Sequence, residues 1–256
     1  MNKVYICARA RTPVLVSPQT SSQLETELLY GQSFVARRIM GAFIEGDVAP
    51  LIEAKSDFIS KGFVRARDLI EAPDVASFKI SALKAPVFAR KDIKSSIKMV
   101  LPFGARLRVL SAHRDFVRIG RGQYVHRKHI IAIDSYEADF VDIAERHLGL
   151  PYIWGGLSSD GLDCSGLVQT ALWATGQGCP RNSGEQQAEL GRAIDRDAKL
   201  MRGDLVFWAG HVGIMQDDTQ ILHANGYHMC VETEPLKSAA RRIEKSAGPI
   251  KAIKRL

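Results

Sequence analysis

Long apolar runs, paired cysteines and a concentrated basic arm are all missing from this chain, and each absence excludes a class of protein. No stretch approaches the ~18 consecutive apolar residues of a transmembrane helix. The run Val4-Tyr5-Ile6-Cys7-Ala8, between Lys3 and Arg9, is too short for the apolar core of a signal peptide. Cytoplasm is therefore the expected compartment, unless the chain has been trimmed. The cysteines (Cys7, Cys164, Cys179 and Cys230) are widely scattered and form no C-x-x-C. Neither a zinc ribbon nor a disulfide scaffold is suggested, and no metal or cofactor is expected. Lys and Arg number 35 against 28 acidic residues, for a net charge of +7. That charge is spread along the chain, and no aromatic-plus-basic RNA motif accompanies it, so nucleic acid is not an expected partner. With 256 residues, 46% hydrophobic and 25% charged, the chain reads as globular and soluble, and larger than one typical domain.

The texture of the chain changes near residue 134. Before it, short β-type runs recur: 87–89, 106–110, 116–119 and 123–126. Their spacing predicts small all-β barrels or sandwiches. Gly120-Arg121-Gly122 reads as a tight turn between two of them. Thr12-Pro13-Val14-Leu15 opens an earlier unit, and Gly62-Phe63-Val64 near its end parallels Gly122-Gln123-Tyr124-Val125. The expected domains are thus 1–72 and 83–133, joined by a linker over 73–82, followed by an α+β domain over 136–256. In that last domain, Asp134 with Glu137 resembles a capping box ahead of Phe140, Ile143, Ala144 and Leu148. A second helix is expected from Cys164 to near Gly176, and a third from Ser183 with Gln186. Strand-length runs follow at 205–208, 211–215, 220–223 and 229–231, which fits an antiparallel sheet covered by helices.

The chemistry concentrates in this last domain. Cys164 sits where a Gly-rich loop turns into the periodic run Leu167, Val168, Ala171, Leu172. A cysteine at a helix N-terminus meets unpaired N–H groups and the helix dipole, which lower its pKa. His211 and His223 lie 47 and 59 positions later. A hairpin centred on Asp217 would set position 211 opposite position 223 and turn both imidazoles to one face. Nucleophile, base and orienter are then together, as in a thiol hydrolase. Cys179 and Cys230 read as structural. His228 with Cys230 is only a fragment of a metal site, and His113, His126, His129 and His147 read as surface or interdomain residues.

These residues resemble the NlpC/P60 family of cysteine peptidases. The stretches 148–156 (Leu-Gly-Leu-Pro-Tyr-Ile-Trp-Gly-Gly), 163–168 (Asp-Cys-Ser-Gly-Leu-Val), 203–207, 211–214 and 222–224 follow the family's motifs in order. The resemblance implies a papain-like α+β core and a Cys-His-His triad. Cys164 is then the nucleophile, His211 the base and His223 the third member. Tyr152 falls where the family's tyrosine lies beside the nucleophile. Trp154, Asp163, Ser165, Asn182 and Ser183 fall where substrate contacts are implied. The implied reaction cleaves γ-D-glutamyl-diamino acid bonds of cell-wall peptides through a thioester.

The N-terminal half resembles a pair of bacterial SH3-like domains. This layout is similar to murein-peptide recycling enzymes that require a free N-terminal L-Ala. Two departures bear on that amine. Phe58 stands where a tyrosine is common, and Asn182 where an aspartate is common. Glu45, Asp47, Glu53 and Asp57 are the acids available to replace the missing charge. The other readings are a hydrolase of intact peptidoglycan and a non-catalytic wall-peptide binding module. No membrane partner is expected, and no oligomeric state follows from these residues.

Overall fold

The computed structural model describes residues 3–53, 59–71 and 76–256. The chain divides into two units: Met1–Pro50 with Ser60–Ser135, and Leu51–Ile59 with Tyr136–Leu256. Phe58 and Asp57 lie outside the described residues.

In the first unit, alternating apolar and polar residues build short strands. Strands β1 (Lys3–Cys7), β2 (Arg11–Leu15), β3 (Leu24–Leu29), β4 (Ser33–Met40), β5 (Phe43–Val48), β6 (Lys61–Arg65) and β7 (Leu69–Ile70) form one sheet, in the order β3-β2-β6-β5-β4-β1-β7. Val14, Leu28, Phe34, Ile44 and Val64 fill its core. Strands β8 (Phe78–Ile80), β9 (Lys84–Phe88), β10 (Ile97–Pro102), β11 (Arg106–Leu107), β12 (Ser111–Ala112), β13 (Phe116–Gly120), β14 (Gln123–His126) and β15 (Ile130–Ala132) follow. They pair as β10-β9-β14-β13-β12 and β11-β8-β15. A second core of Ile80, Val87, Leu101, Leu107 and Val125 lies between them.

The internal similarity read from the sequence has a structural counterpart. β2 (RTPVL) and β9 (KAPVF) share one burial pattern, each with proline at its third position. Each pairs with a strand that is followed by a 3-10 turn and another short strand: β6, then 66–68, then β7; and β14, then 127–129, then β15. Three expectations change. Part of the 73–82 linker is strand β8, because Phe78 and Ile80 pair with β11 and β15. The 106–110 run is strand only at Arg106–Leu107, where β11 pairs with β8, and the next strand, β12, starts at Ser111 and pairs with β13. Finally, no pairing among the described residues joins edge strands β3 and β7, so no closed barrel is found in that sheet.

The second unit holds α1 (Phe140–Glu145), β16 (Leu157–Ser158), β17 (Gly161–Leu162), α2 (Cys164–Ala174), α3 (Ser183–Glu189), β18 (Arg192–Ile194), β19 (Leu205–Trp208), β20 (His211–Met215), β21 (Gln220–Asn225), β22 (Cys230–Pro235), α4 (Leu236–Ala247) and β23 (Ala252–Arg255). Strands β18 to β23 form a six-stranded sheet ordered β18-β23-β19-β20-β21-β22. Asp204 closes one side of it: its buried carboxylate takes two 2.7 Å bonds from Arg255. Helix α2 is buried along its whole length and packs on β20 and β21, between α1 and α3. A helix with no solvent-facing side belongs inside a domain. It ends at Gly176, whose φ of +77° favours glycine.

Caps differ from the sequence reading. Asp139, not Asp134, caps α1, accepting from Val141 N at 2.8 Å. Asn182, not Ser183, caps α3, and its N–H donates to Glu185 at 3.3 Å. Helix α4 was not anticipated, although Leu236, Ala239, Ala240, Ile243 and Ala247 recur at helical spacing and pack on the sheet. No helix among the described residues is long and apolar enough to cross a membrane.

The central helix sets a clear expectation. Leu172 is fully buried, so Leu172→Ala should destabilise the protein by about 2–5 kcal/mol. A urea titration would show this as a lower midpoint with unchanged slope.

Candidate active site

The site begins with the N-cap of α2. Asp163 Oδ1 accepts from Gly166 N at 2.7 Å, and Oδ2 accepts from Gly155 N at 2.9 Å. The same carboxylate receives both arms of Arg181, at 2.9 and 2.7 Å. Arg181 also donates to Ser165 Oγ and to the Gly156 carbonyl. The guanidinium side chain is only 4% exposed. One buried ion pair thus ties the loop at 155–156 to the start of the helix that carries Cys164.

Cys164 is the first residue of α2, and its thiol faces the start of β20. The Sγ lies 4.0 Å from the Gly210 carbonyl oxygen. Burial, and then the neighbouring Asp163 carboxylate, push the thiol up to about 12; the Val212 and Ser165 N–H groups and Arg181 offset this only in part. The helix N-terminus alone predicts the opposite direction. The difference arises because the sulfur is desolvated and shares its helix end with an acid. At neutral pH the group at rest is the thiol.

His211 opens β20 and His223 lies on β21. The strands pair as Ile214↔Leu222 and Met215↔Ile221. Extended, that register sets Gly213, not His211, opposite His223. The two histidines are diagonal neighbours, which still share a face. Their rings meet directly: His211 Nε2 and His223 Nδ1 are 2.8 Å apart. Gly213 leaves the room this needs, since a Cβ there would stand 3.2 Å from His223 Cβ and 2.5 Å from Ile221 Cδ1.

Beyond His223 lies a carboxylate that the sequence reading missed. His223 Nε2 is 2.9 Å from Glu234 Oε1 on β22. Both oxygens of Glu234 are bound by Arg242 of α4, one of them at 2.7 Å. Burial, His223 and Arg242 hold His211 down to about 3, with Glu234 pulling the other way. Burial also lowers His223, again opposed by Glu234. Against its own desolvation, Arg242 and His223 bring Glu234 down to about 2. A cleft of about 280 Å³ opens beside His211, Asn225, Tyr227, Arg242 and Ser246.

The other predicted site residues are placed as follows. Tyr152 is half-buried; its hydroxyl is pushed up to about 12 by burial and then by Cys164 and Asp163. Trp154 is 62% exposed. Asp163 and Ser165 are buried and bonded to each other and to Arg181. Asn182 is exposed and Ser183 half-buried at the start of α3. Glu45 and Asp47 are paired within their own unit with Arg38 at 3.0 Å and Arg37 at 2.7 Å. His147 is not a surface residue: it is 1% exposed, with Nδ1 2.8 Å from the Ile143 carbonyl. His223, His228 and Glu234 present ligand-type atoms within 4.8 Å of one another. Hydrogen bonds to a histidine and a cation already occupy the Glu234 carboxylate, which disfavours a metal there.

Removing one member of a buried ion pair strands the other. Arg181→Ala should cost about 3–5 kcal/mol, read as a fall in the urea midpoint. Asp163→Asn with Arg181→Met together should cost less than Arg181→Ala alone.

Residues 149–242 match the NlpC/P60 family. A γ-D-glutamyl-L-lysine dipeptidyl-peptidase of Bacillus subtilis is 25% identical over 222 residues, covering 80% of this chain and 73% of the relative. A protein of the same name from Bacillus cereus is 36% identical over 118 residues, covering 43% and 34%. The crystal structure of an NlpC/P60 family protein from Bacillus cereus superposes with a TM-score of 0.83 at 20% identity, covering 99% of both chains. At that identity the last likeness concerns the fold alone. Residues 149–242 thus match the NlpC/P60 family, and the chain is similar over that region and beyond it to γ-D-glutamyl-L-lysine dipeptidyl-peptidases.

Proposed function

We propose that this protein is a cysteine peptidase that hydrolyses the bond between γ-D-glutamate and a diamino acid in bacterial cell-wall peptides. Its substrates on this reading are free peptides with an unblocked N-terminal L-Ala. The observation that carries it is the meeting of the Cys164 helix with the start of β20, where His211 is joined to His223 at 2.8 Å. His211 spends Nε2 on His223 and keeps Nδ1 for the thiol. As sulfur attacks the carbonyl carbon, Nδ1 takes the thiol proton. The oxyanion is met by the Cys164 N–H and the Tyr152 hydroxyl. Collapse expels the diamino acid, whose amine takes the proton from His211. The remaining thioester is hydrolysed by water, with His211 again as base.

Two observations support the finer reading. The Bacillus subtilis dipeptidyl-peptidase aligns over 80% of this chain, far beyond the catalytic domain. By contrast, the probable endopeptidase p60 of Listeria monocytogenes aligns over only 32%. The repeated strand succession of the first unit supports a pair of SH3-like modules ahead of the catalytic domain.

The test is incubation with L-Ala-γ-D-Glu-meso-diaminopimelate, its L-Lys counterpart and the N-acetylated form of each, with products identified by mass. Release of L-Ala-γ-D-Glu from the free peptides alone is expected. Equal cleavage of blocked peptides would point to hydrolysis of intact wall, and no cleavage would overturn the reading. Cys164→Ala should fall to background while the fold survives, and His211→Ala should be nearly as severe.

The pH profile has a predicted sign. An ordinary histidine titrates near ~6.5, whereas His211 is held far lower. The base form is lost only as pH falls through the lowered value. The acid limb of kcat/KM should therefore lie below pH 6.5, and a limb at or above it would contradict the buried-base geometry.

A further inference from the structure

We propose that Glu234 and Arg242 are positioning residues that set the tautomers of both active-site histidines. The claim deepens the peptidase reading and rests on it for its catalytic meaning, but its geometry stands alone. Glu234 is 2.9 Å from His223 Nε2 and is gripped through both oxygens by Arg242. An ionised carboxylate only accepts hydrogen bonds. The proton between them therefore sits on His223 Nε2, and neutral His223 has its lone pair at Nδ1. That lone pair faces His211 Nε2 at 2.8 Å, so His211 also carries its proton on Nε2. Its lone pair is left on Nδ1, the nitrogen that has to take the thiol proton. One carboxylate thus fixes two tautomers in series.

Arg242 serves the carboxylate. It keeps Glu234 ionised and directed at His223, and the face of the Tyr227 ring lies 4.3 Å from its guanidinium. The register shows why such a clamp is needed. Glu232, not Glu234, is the direct cross-strand partner of His223. Glu232 instead accepts from the Thr233 N–H at 2.9 Å, and the cation on α4 selects Glu234.

Among the described residues, the charged and titratable groups around the pair include Glu232, opposite His223 on β22. Helix α2 supplies Cys164, with Asp163, Arg181 and Tyr152 around the sulfur. Strand β22 supplies Glu234, α4 supplies Arg242, and the segment before β22 supplies His228. Glu234 and Arg242 act on the histidines with opposite sign. Removing the acid should make them harder to protonate, and removing the cation easier.

The experiment uses the full chain labelled with 15N-histidine, with nitrogen shifts read at pH 7 and then downward to the lowest pH at which the fold survives. In the wild type, His211 and His223 should both show Nε2–H and a bare Nδ1. In Glu234→Gln, whose amide can donate as well as accept, both rings should show mixed tautomers. kcat should fall about 10- to 100-fold with KM little changed. That is milder than the roughly ten-thousandfold loss when the acid directly orienting a serine-triad base becomes an amide. In Arg242→Met, protonation of the pair should begin at higher pH than in the wild type. Unchanged tautomers in Glu234→Gln, or a protonation onset in Arg242→Met that stays put or moves down, would overturn the proposal. Near-ultraviolet circular dichroism checks folding; if Glu234→Gln does not fold, the sign of the Arg242→Met shift decides. The tautomers are read without substrate. A wild type with the expected shifts that cleaves no murein peptide would support the positioning role and count against the peptidase reading alone.

Discussion

The buried Asp163–Arg181 pair is the constraint on which the rest of the catalytic unit depends. A carboxylate in this position would be costly without a counter-charge, because desolvation of an ion is repaid only by close partners. Arg181 supplies two bonds, and Gly155 and Gly166 supply backbone donors. In return Asp163 caps α2, fixes the loop before it and sets the position of Cys164. Helix α2 can then be buried along its whole length, with its N-terminal end satisfied and Gln169 in its interior donating to the Cys179 carbonyl at 2.8 Å. The six-stranded sheet packs on that helix through β20 and β21, with the start of β20 against the sulfur.

This arrangement makes the resting site electrically quiet. Burial raises the thiol and lowers both histidines, so each prefers its neutral form near neutral pH. In the proposed reaction, such a pair separates charge only when proton transfer accompanies attack. The ionised groups stand one step back: Asp163 with Arg181 on one side, Glu234 with Arg242 on the other. Each acid is neutralised by its own arginine, so they orient neighbours through hydrogen bonds while adding little net charge.

Much of this was legible in the residues. Apolar periodicity after Cys164 marks a helix because the 3.6-residue repeat is local; that Asp163 caps it emerged only from the structure. The strands at 205–208 and 211–215 are runs of apolar residues of strand length, and the structure keeps those bounds. The short strands of the first unit were legible through their turn residues. What was missed is non-local. The hairpin register was off by two residues, because Asp217 bonds Thr219 and Gln220 in a turn whose closing pair the sequence does not name. Helix α4 was overlooked despite its pattern. Without it, Arg242 had no place near β22, and Glu234 looked no different from Glu232.

The sequence by itself determined Cys164, the nucleophile of the proposed reaction, together with its helix and the two histidines, since each is marked by its immediate neighbours. Tertiary structure decided how they are used. It buried the sulfur and reversed the direction of its pKa, because solvent exclusion depends on packing rather than on adjacency. It also chose Glu234 over Glu232 as the acid behind His223. Both glutamates alternate to the same face of β22, and only the approach of Arg242 from a separate helix tells them apart.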